Sequence, residues 1–458
     1  MKKIACFSIP AHGHTNPMLP VVKELVKRGD VVRFYSFNEF EAKIRATGAV
    51  FISCDRFLTK EEKKSDVATS TEMTIADIHT VMNANSFLES EFRSFKPDVV
   101  YSDSVCFWAK LNAKKYNVPL VVSTTTFAFN QLSATYMKNS LKEVLDLILG
   151  LGKVKKELKR LEQYGFKVKS PIELVQSDNS TDSIVYTTKA FQPYAESFSS
   201  SFAFVGPSIL SDAKPMKENK RPLIYISLGT VVNNRPDFYR NALKALGSVN
   251  ADAIISVGKE IKTEELGEVP DNVKLYNYVD QLDILSRANL FITHAGMNSA
   301  SESLYMATPM ILFPQTGEQK AVARRIIEEK AGIMLKRGST QCIKEAIERV
   351  LNDESYSKNA KKVSEDFRGS CGYKGAADFI ESAPHKKSEC YVMDEITKSI
   401  KRFNALYSTI FAVLCALAII FRLKHSWQFF IAAGILNQTF VKAIQKKKYN
   451  SLTKRKTI

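Results

Sequence analysis

The chain has 458 residues, 45% hydrophobic and 25% charged, enough for the cores of two or three domains and unlike a disordered or fibrous chain. Its formal charge of +17 suggests an anionic partner, yet fourteen Lys or Arg against three acids lie beyond residue 383, which puts +11 in the tail and leaves +6 for the body. That distribution argues against a nucleic-acid enzyme, and seven scattered cysteines without a C-x-x-C argue against a disulfide framework or a zinc site.

Met1-Lys2-Lys3 followed by Ile4 to Pro10 imitates a signal peptide, but the apolar run is short and enters His12-Gly13-His14 without a small-residue cleavage site. It reads as a first buried strand, Ile4–Ile9. A helix over Met18–Arg28 follows, ending before Gly29, then a second strand over Val31–Ser36. The loop Pro10–Pro17 therefore lies at a strand's carboxyl end, the ligand side of an open α/β sheet. A histidine there has the right ordinary pKa to take a proton from a hydroxyl, although such a histidine can equally be structural. No G-x-G-x-x-G occurs, so nicotinamide binding lacks its fingerprint. Val99–Tyr101 reads as a strand with Asp103 at its end, where a carboxylate either caps a turn or orients an imidazole; Leu120–Ser123 is a further strand. The stretches Phe57–Leu88 and Phe127–Gly165 are less regular. Within them Phe127, Phe129 and Met137 suit core or pocket lining, and Gly150-Leu151-Gly152-Lys153, lacking full phosphate-loop spacing, reads as a turn.

Val205-Gly206-Pro207 closes a first domain, residues 1–207, and 208–221 is a polar linker. The second domain, 222–383, opens with a strand Leu223–Ser227 running into Gly229-Thr230, with further strands at Ala253–Val257 and from Val273. Its most informative stretch is Leu290 to Gln319. Leu290–Ile292 reads as a buried parallel strand that stops at Thr293-His294-Ala295-Gly296, after which Asn298-Ser299 open a helix. Gly296 permits a tight turn and close approach of a ligand, and the helix start favours an anion through its unpaired amides and dipole. Glu302 falls one turn after Asn298 on the same face. A strand over Pro309–Phe313 leads to Glu318-Gln319 at the next loop-to-helix junction. An anion site with a hydroxyl-binding pair one βα unit later suits a sugar nucleotide.

The spaced set T-H-x-G-x-N-S-x-x-E, then P-x-x-x-x-P and E-Q, resembles the donor signature of the UDP-glycosyltransferases, most closely the bacterial macrolide-type (antibiotic and flavonoid) enzymes. The resemblance implies an α/β fold of GT-B type, two Rossmann-like domains facing a cleft. It implies that His14, in a G-H-x-N-P pattern, is the catalytic base and that Asp103 orients it. On the donor side it implies that Gly229 and Thr230 meet the diphosphate and that Tyr278, with Gln281 nearby, takes the place of the aromatic residue stacked on uracil. It further implies that His294, Gly296, Asn298 and Ser299 serve the phosphates, Glu302 the ribose, and Glu318 and Gln319 the transferred sugar. Asp280 replaces a common proline and Ala295 a common glycine. The implied reaction is inverting transfer of a hexose, glucose by family frequency, from a UDP-sugar to a hydroxyl of an apolar small molecule such as a macrolide or phenol. No cofactor and no metal are expected, since no D-x-D pair occurs. A lipid or sterol transferase and a non-catalytic sugar-nucleotide binder are the rival readings.

Residues 384–404 read as a basic linker and 405–458 as a hydrophobic helical tail. Ala405–Phe421 is a 17-residue uncharged run between Lys401-Arg402 and Arg422, and Phe429–Val441 is a shorter one before Lys446-Lys447-Lys448. These lengths predict a membrane anchor over 405–441, with cytoplasmic catalytic domains; the alternative is an amphipathic or buried helical extension.

Overall fold

Short apolar runs alternating with amphipathic helices build two parallel sheets, the pattern expected when helices cover both faces of every strand. The computed structural model describes residues 1–58, 70–137, 141–168, 173–174, 181–210, 214–217, 219–229, 233–385, 390–420 and 426–454, for 70, 141–145, 147–148, 407, 409–420, 426–436 and 454 the backbone alone. In the first domain β1 (Lys3–Phe7), β2 (Val31–Ser36), β3 (Val50–Ser53), β4 (Val99–Asp103), β5 (Leu120–Thr124), β6 (Asp182–Val185) and β7 (Phe202–Phe204) lie in the order β3-β2-β1-β4-β5-β6-β7. In the second, β8 (Leu223–Ser227), β9 (Asp252–Ser256), β10 (Val273–Tyr276), β11 (Leu290–Thr293), β12 (Met310–Leu312) and β13 (Gly332–Met334) lie in the order β10-β9-β8-β11-β12-β13. The strand order reverses direction between β1 and β4 in one sheet and between β8 and β11 in the other. Each reversal opens a crevice at the strands' carboxyl ends, where such sheets bind ligands.

The central strands are closed on both faces. Ile4 to Phe7 and Leu290 to Ile292 are almost wholly buried, Phe7 stacks on Tyr35 at 4.4 Å and Phe291 on Tyr225 at 4.8 Å. At roughly 1.5–3 kcal/mol for each large apolar side chain taken out of water, these strands fix the sheets from which the loops project.

Helix α1 (His12–Thr15) is a single turn after β1, and α2 (Met18–Lys27) buries Met18, Val21, Val22 and Leu25 against the sheet. In the second domain α3 (Gln281–Arg287), α4 (Met297–Tyr305) and α5 (Gly317–Glu328) follow β10, β11 and β12. Part of the expected linker is fastened to the second domain: Met216 N donates to Ser286 O at 2.7 Å, and Lys217 Nζ donates to the carbonyls of Leu285 and Ala288 and to Thr308 Oγ1.

Three expectations need correction. The chain crosses back after the second sheet, and α6 (Gly372–Glu381) packs Ala376, Ala377 and Ile380 into the first domain's core. Arg28 locks it there through Asp378 and Glu381, at 2.6 and 2.5 Å. Residues 372–383 therefore belong with the first sheet, because the helix's small apolar face fits α2. Gly150–Lys153 is not a turn but lies within the helix Leu141–Leu161, where a Cβ on Gly150 would come 2.1 Å from Thr71 Oγ1; the glycine lets that helix approach the helix Ser70–Phe95. Finally, the basic linker 384–404 is largely helix.

The tail consists of α7 (Tyr391–Ile420) and α8 (Ser426–Lys454), which pack on each other. Val392 and Ile396, one turn apart, bury with Cys390 against Leu132, and Tyr449 meets Tyr194 edge-on at 5.0 Å. Among the described residues no helix is long and apolar enough to cross a membrane, so the expected spanning anchor is not found. The described start of α7 carries Asp394, Glu395, Lys398, Lys401 and Arg402, and it is docked on the first domain. The side chains of most of the apolar runs from 405 to 441 lie outside the described residues.

Candidate active site

The first crevice holds an imidazole–carboxylate pair. α1 follows β1 and carries His14; Asp103 is the last residue of β4, the neighbouring strand across the reversal. The Asp103 side chain is fully buried, and its Oδ2 lies 2.7 Å from His14 Nδ1 while Oδ1 accepts from Val105 N at 2.9 Å. Both carboxylate oxygens are thus committed, which fixes the carboxylate and directs the imidazole. Burial pushes the His14 pKa down, but the Asp103 carboxylate pushes it up and prevails; Glu318 and Asp77 add to the rise. The result lies above the ordinary histidine value. With Nδ1 turned to Asp103, Nε2 is the nitrogen able to take a proton.

Further contacts shape this loop. Thr15 Oγ1 donates to Ser8 Oγ at 3.0 Å, and Ser8 Oγ is 2.9 Å from Ser36 Oγ. His12 lies 2.9 Å from Glu39 Oε1 and edge-on to Phe40. Thr125 was not singled out from the sequence, yet its Oγ1 lies 3.5 Å from His14 Nδ1. Its signal was available: it immediately follows β5, a third strand ending at the same edge.

The second crevice lies between the ends of β8 and β11. Gly229 follows β8, and His294 and Gly296 follow β11. The His294 ring is clamped between the two glycines. A Cβ on Gly296 would sit 2.4 Å from its Nε2, and one on Gly229 would sit 2.6 Å from its Cε1. Burial lowers the His294 pKa to about 4, against a small opposing effect of a backbone hydrogen bond at Ser227. His294 is therefore neutral at physiological pH and can serve a ligand through hydrogen bonding, not charge. Gly296→Ala is expected to expel this ring and lower stability by about 1–3 kcal/mol, the usual cost of overpacking, read as a fall in the denaturation midpoint. Ala295 adopts φ +63°, a left-handed conformation that explains why glycine is common there.

Gly296 caps α4 without a side-chain bond, so the first-turn amides stay open to an anion. Ser299 and Glu302 lie on this helix, and both are held by Gln281: its Nε2 donates to Glu302 Oε2 at 2.5 Å and to Ser299 Oγ at 3.2 Å. Gln281 itself accepts from Tyr225 OH at 3.4 Å. Burial raises the Glu302 pKa to about 7, the Gln281 bond only partly opposing it. Asp280, at the place of a common proline, caps α3 by accepting from Asp283 N. Tyr278 is 78% exposed, leaving its ring open to stacking.

At the start of α5, Gln319 does not sit as a free sugar ligand. Its Oε1 accepts from the backbone amides of Gln315 and Thr316 in a capping box with Thr316, so only its amide nitrogen is left for a ligand. Glu318 lies close enough to raise His14. Phe127 is buried in the second domain's core cluster, the core role of the two considered. Thr230 lies outside the described residues.

The two crevices face one another. Asn298 Nδ2 donates to Gly13 O across the domains at 2.7 Å, and an interdomain cavity of about 420 Å³ runs beside this bond between Asn16, Pro17 and Leu19 on one side and Leu282, Ser301 and Glu302 on the other. The His14–Asp103 pair and the open amides of α4 thus lie on opposite sides of the domain junction that this bond crosses.

Residues 215–368 match the family model described as "UDP-glucoronosyl and UDP-glucosyl transferase". The chain is 32% identical to the Bacillus subtilis protein described as "Uncharacterized UDP-glucosyltransferase YojK" over 85% of its own length and 99% of that protein's. It is 28% identical to the oleandomycin glycosyltransferase of Streptomyces antibioticus, over 84% and 92% respectively. Among solved structures, the calicheamicin glycosyltransferase CalG4 superposes with a TM-score of 0.69 at 24% identity, over 84% of this chain and all of that one, a likeness of fold.

Proposed function

The chain belongs to the UDP-glucoronosyl and UDP-glucosyl transferase family and has its GT-B fold, and we propose that it transfers a hexose from a UDP-sugar, with inversion, to a hydroxyl of an apolar small molecule. The observation that carries the reading is the His14–Asp103 pair opposite the open amides of α4. In this mechanism His14 Nε2 removes the acceptor hydroxyl proton as the oxygen attacks the anomeric carbon. Asp103 stabilises the imidazolium that forms, and UDP leaves from the second domain. The α4 amides, Gly229, Ser299 and neutral His294 hold the diphosphate by hydrogen bonds, and no metal is required in this scheme. Glu302 takes the ribose hydroxyls, Tyr278 stacks on the base near Gln281, and Glu318, with the amide of Gln319, holds the sugar. UDP-glucose is the favoured donor, supported by the family model and the name of the Bacillus relative; the oleandomycin relative supports a macrolide or phenolic acceptor.

Purified protein incubated with a set of UDP-sugars and with macrolide, phenolic and lipid alcohols, with and without chelator, tests this directly. Acceptor-dependent UDP release that survives chelation, with a glycosylated product of β configuration from an α-linked donor, is the expected result. An α product, or strict dependence on added metal, would overturn the mechanism.

The raised pKa of Glu302 adds a pH effect. Its carboxylate, the better acceptor for ribose hydroxyls, forms as pH rises through about 7, so donor affinity is expected to increase from pH 6 to pH 8. Glu302→Ala should weaken UDP binding about 10- to 100-fold, as expected for one charge-assisted hydrogen bond, and should abolish that trend. Titration calorimetry with UDP across this pH range reads both effects.

A further inference from the structure

The base in this scheme rides on a single helical turn, and one turn does not hold itself in water. Each residue of α1 shows how the turn is held. His12 is tied to Glu39, His14 to Asp103 and Thr15 to Ser8, all within the first domain. Gly13 has no side chain, and its carbonyl accepts instead from Asn298 Nδ2 of the second domain at 2.7 Å. Asn298 is the second residue of α4, beside the amides where the donor's diphosphate would lie. One side chain therefore stands between the donor shelf and the turn that carries the base.

We propose that Asn298 is a positioning residue that latches the base loop to the donor domain, so that His14 is aligned only when the donor-carrying domain is closed upon it. The inference rests on the transferase reading and assigns Asn298 a role other than the phosphate contact that the resemblance implied. The chemistry requires an amide. The Gly13 carbonyl can only accept, so the partner must donate; aspartate at this position offers only acceptors and would repel it. Without the latch, the α4 amides, His294 and Glu302 still hold the donor. The turn bearing His14 loses its contact with the opposite domain, and a displaced base loses near-attack geometry.

The test uses the full-length protein and its Asn298→Ala, Asn298→Asp and Asn298→Gln variants, with UDP affinity measured by calorimetry and kcat at saturating UDP-sugar and acceptor. For Asn298→Ala, UDP affinity is expected to stay within about threefold of wild type while kcat falls about tenfold or more. Asn298→Asp should fall further, and Asn298→Gln should recover part of the loss. If UDP affinity drops as far as kcat/KM does while kcat is unchanged, Asn298 is a phosphate contact only and the latch is wrong. Equal losses in all three variants together with lowered melting temperatures would make its role structural and likewise overturn the proposal. Failure of the wild-type protein to release UDP with any donor and acceptor would strike down the transferase reading itself, a result distinct from the other two.

Discussion

His14→Ala is expected to lower kcat/KM by about 10³-fold, the middle of the range for removal of a positioned general base and equivalent to about 4 kcal/mol of transition-state stabilisation. The size follows from the geometry. His14 is the group raised above the ordinary histidine pKa in a crevice where its Nδ1 is already committed to a buried carboxylate. An alanine leaves the acceptor hydroxyl, with a pKa far above neutrality, to be deprotonated by solvent. Donor binding is a separate matter, because Gly229, His294, Ser299 and Glu302 belong to the opposite domain. UDP affinity of the variant should therefore remain within about threefold of wild type. Parallel loss of UDP affinity and turnover would mean that His14 supports the fold of the cleft, and full activity would remove it from the mechanism.

Most of this site was readable from the chain because its residues sit at strand ends. In a parallel sheet each strand is a run of buried apolar residues, and the chemistry begins where the run stops; His294 after Leu290–Thr293 and Asp103 closing Val99–Asp103 are both of this kind. Strand runs by themselves do not say which strand ends meet, and for His14 and Asp103 only the family resemblance implied it. The β1/β4 and β8/β11 reversals pair His14 with Asp103 and Gly229 with His294 from positions far apart in the chain. Gln281 shows the same limit: its bond to Glu302 depends on α3 lying beside α4. Gln319 shows a local limit, since a polar pair at a helix start serves a ligand and a capping box equally well, and only the Thr316 contacts reveal that its Oε1 is engaged in the box. Helix α6 escaped because its crossing back to the first core leaves no signal in its own periodicity. The tail was read from hydropathy as a membrane segment. The docking of its far end through Tyr449 and Leu452 is a tertiary fact that hydropathy does not encode.

Asp103→Asn is expected to cost nearly as much as removing the base, about 10³-fold in kcat, with little change in fold because the side chains are isosteric. Asp103 Oδ2 faces His14 Nδ1, so in the native site the imidazole carries its proton on Nδ1 and leaves Nε2 free to act. In the variant the asparagine oxygen can keep the bond from Val105 N, which turns its NH2 group toward His14. The imidazole then accepts at Nδ1, its proton moves to Nε2, and the nitrogen facing the acceptor has no lone pair to offer. The pH dependence gives an independent sign. The reaction needs neutral His14, so kcat/KM should rise through the raised His14 pKa, above 6.5, in the wild type. With the carboxylate gone, burial acts unopposed by its strongest partner, and the acidic limb should move to lower pH even as the plateau falls. A rate profile from pH 5 to pH 9 reads both changes. A lowered plateau with an unmoved limb would mean that the titrating group is not the imidazole bound to Asp103.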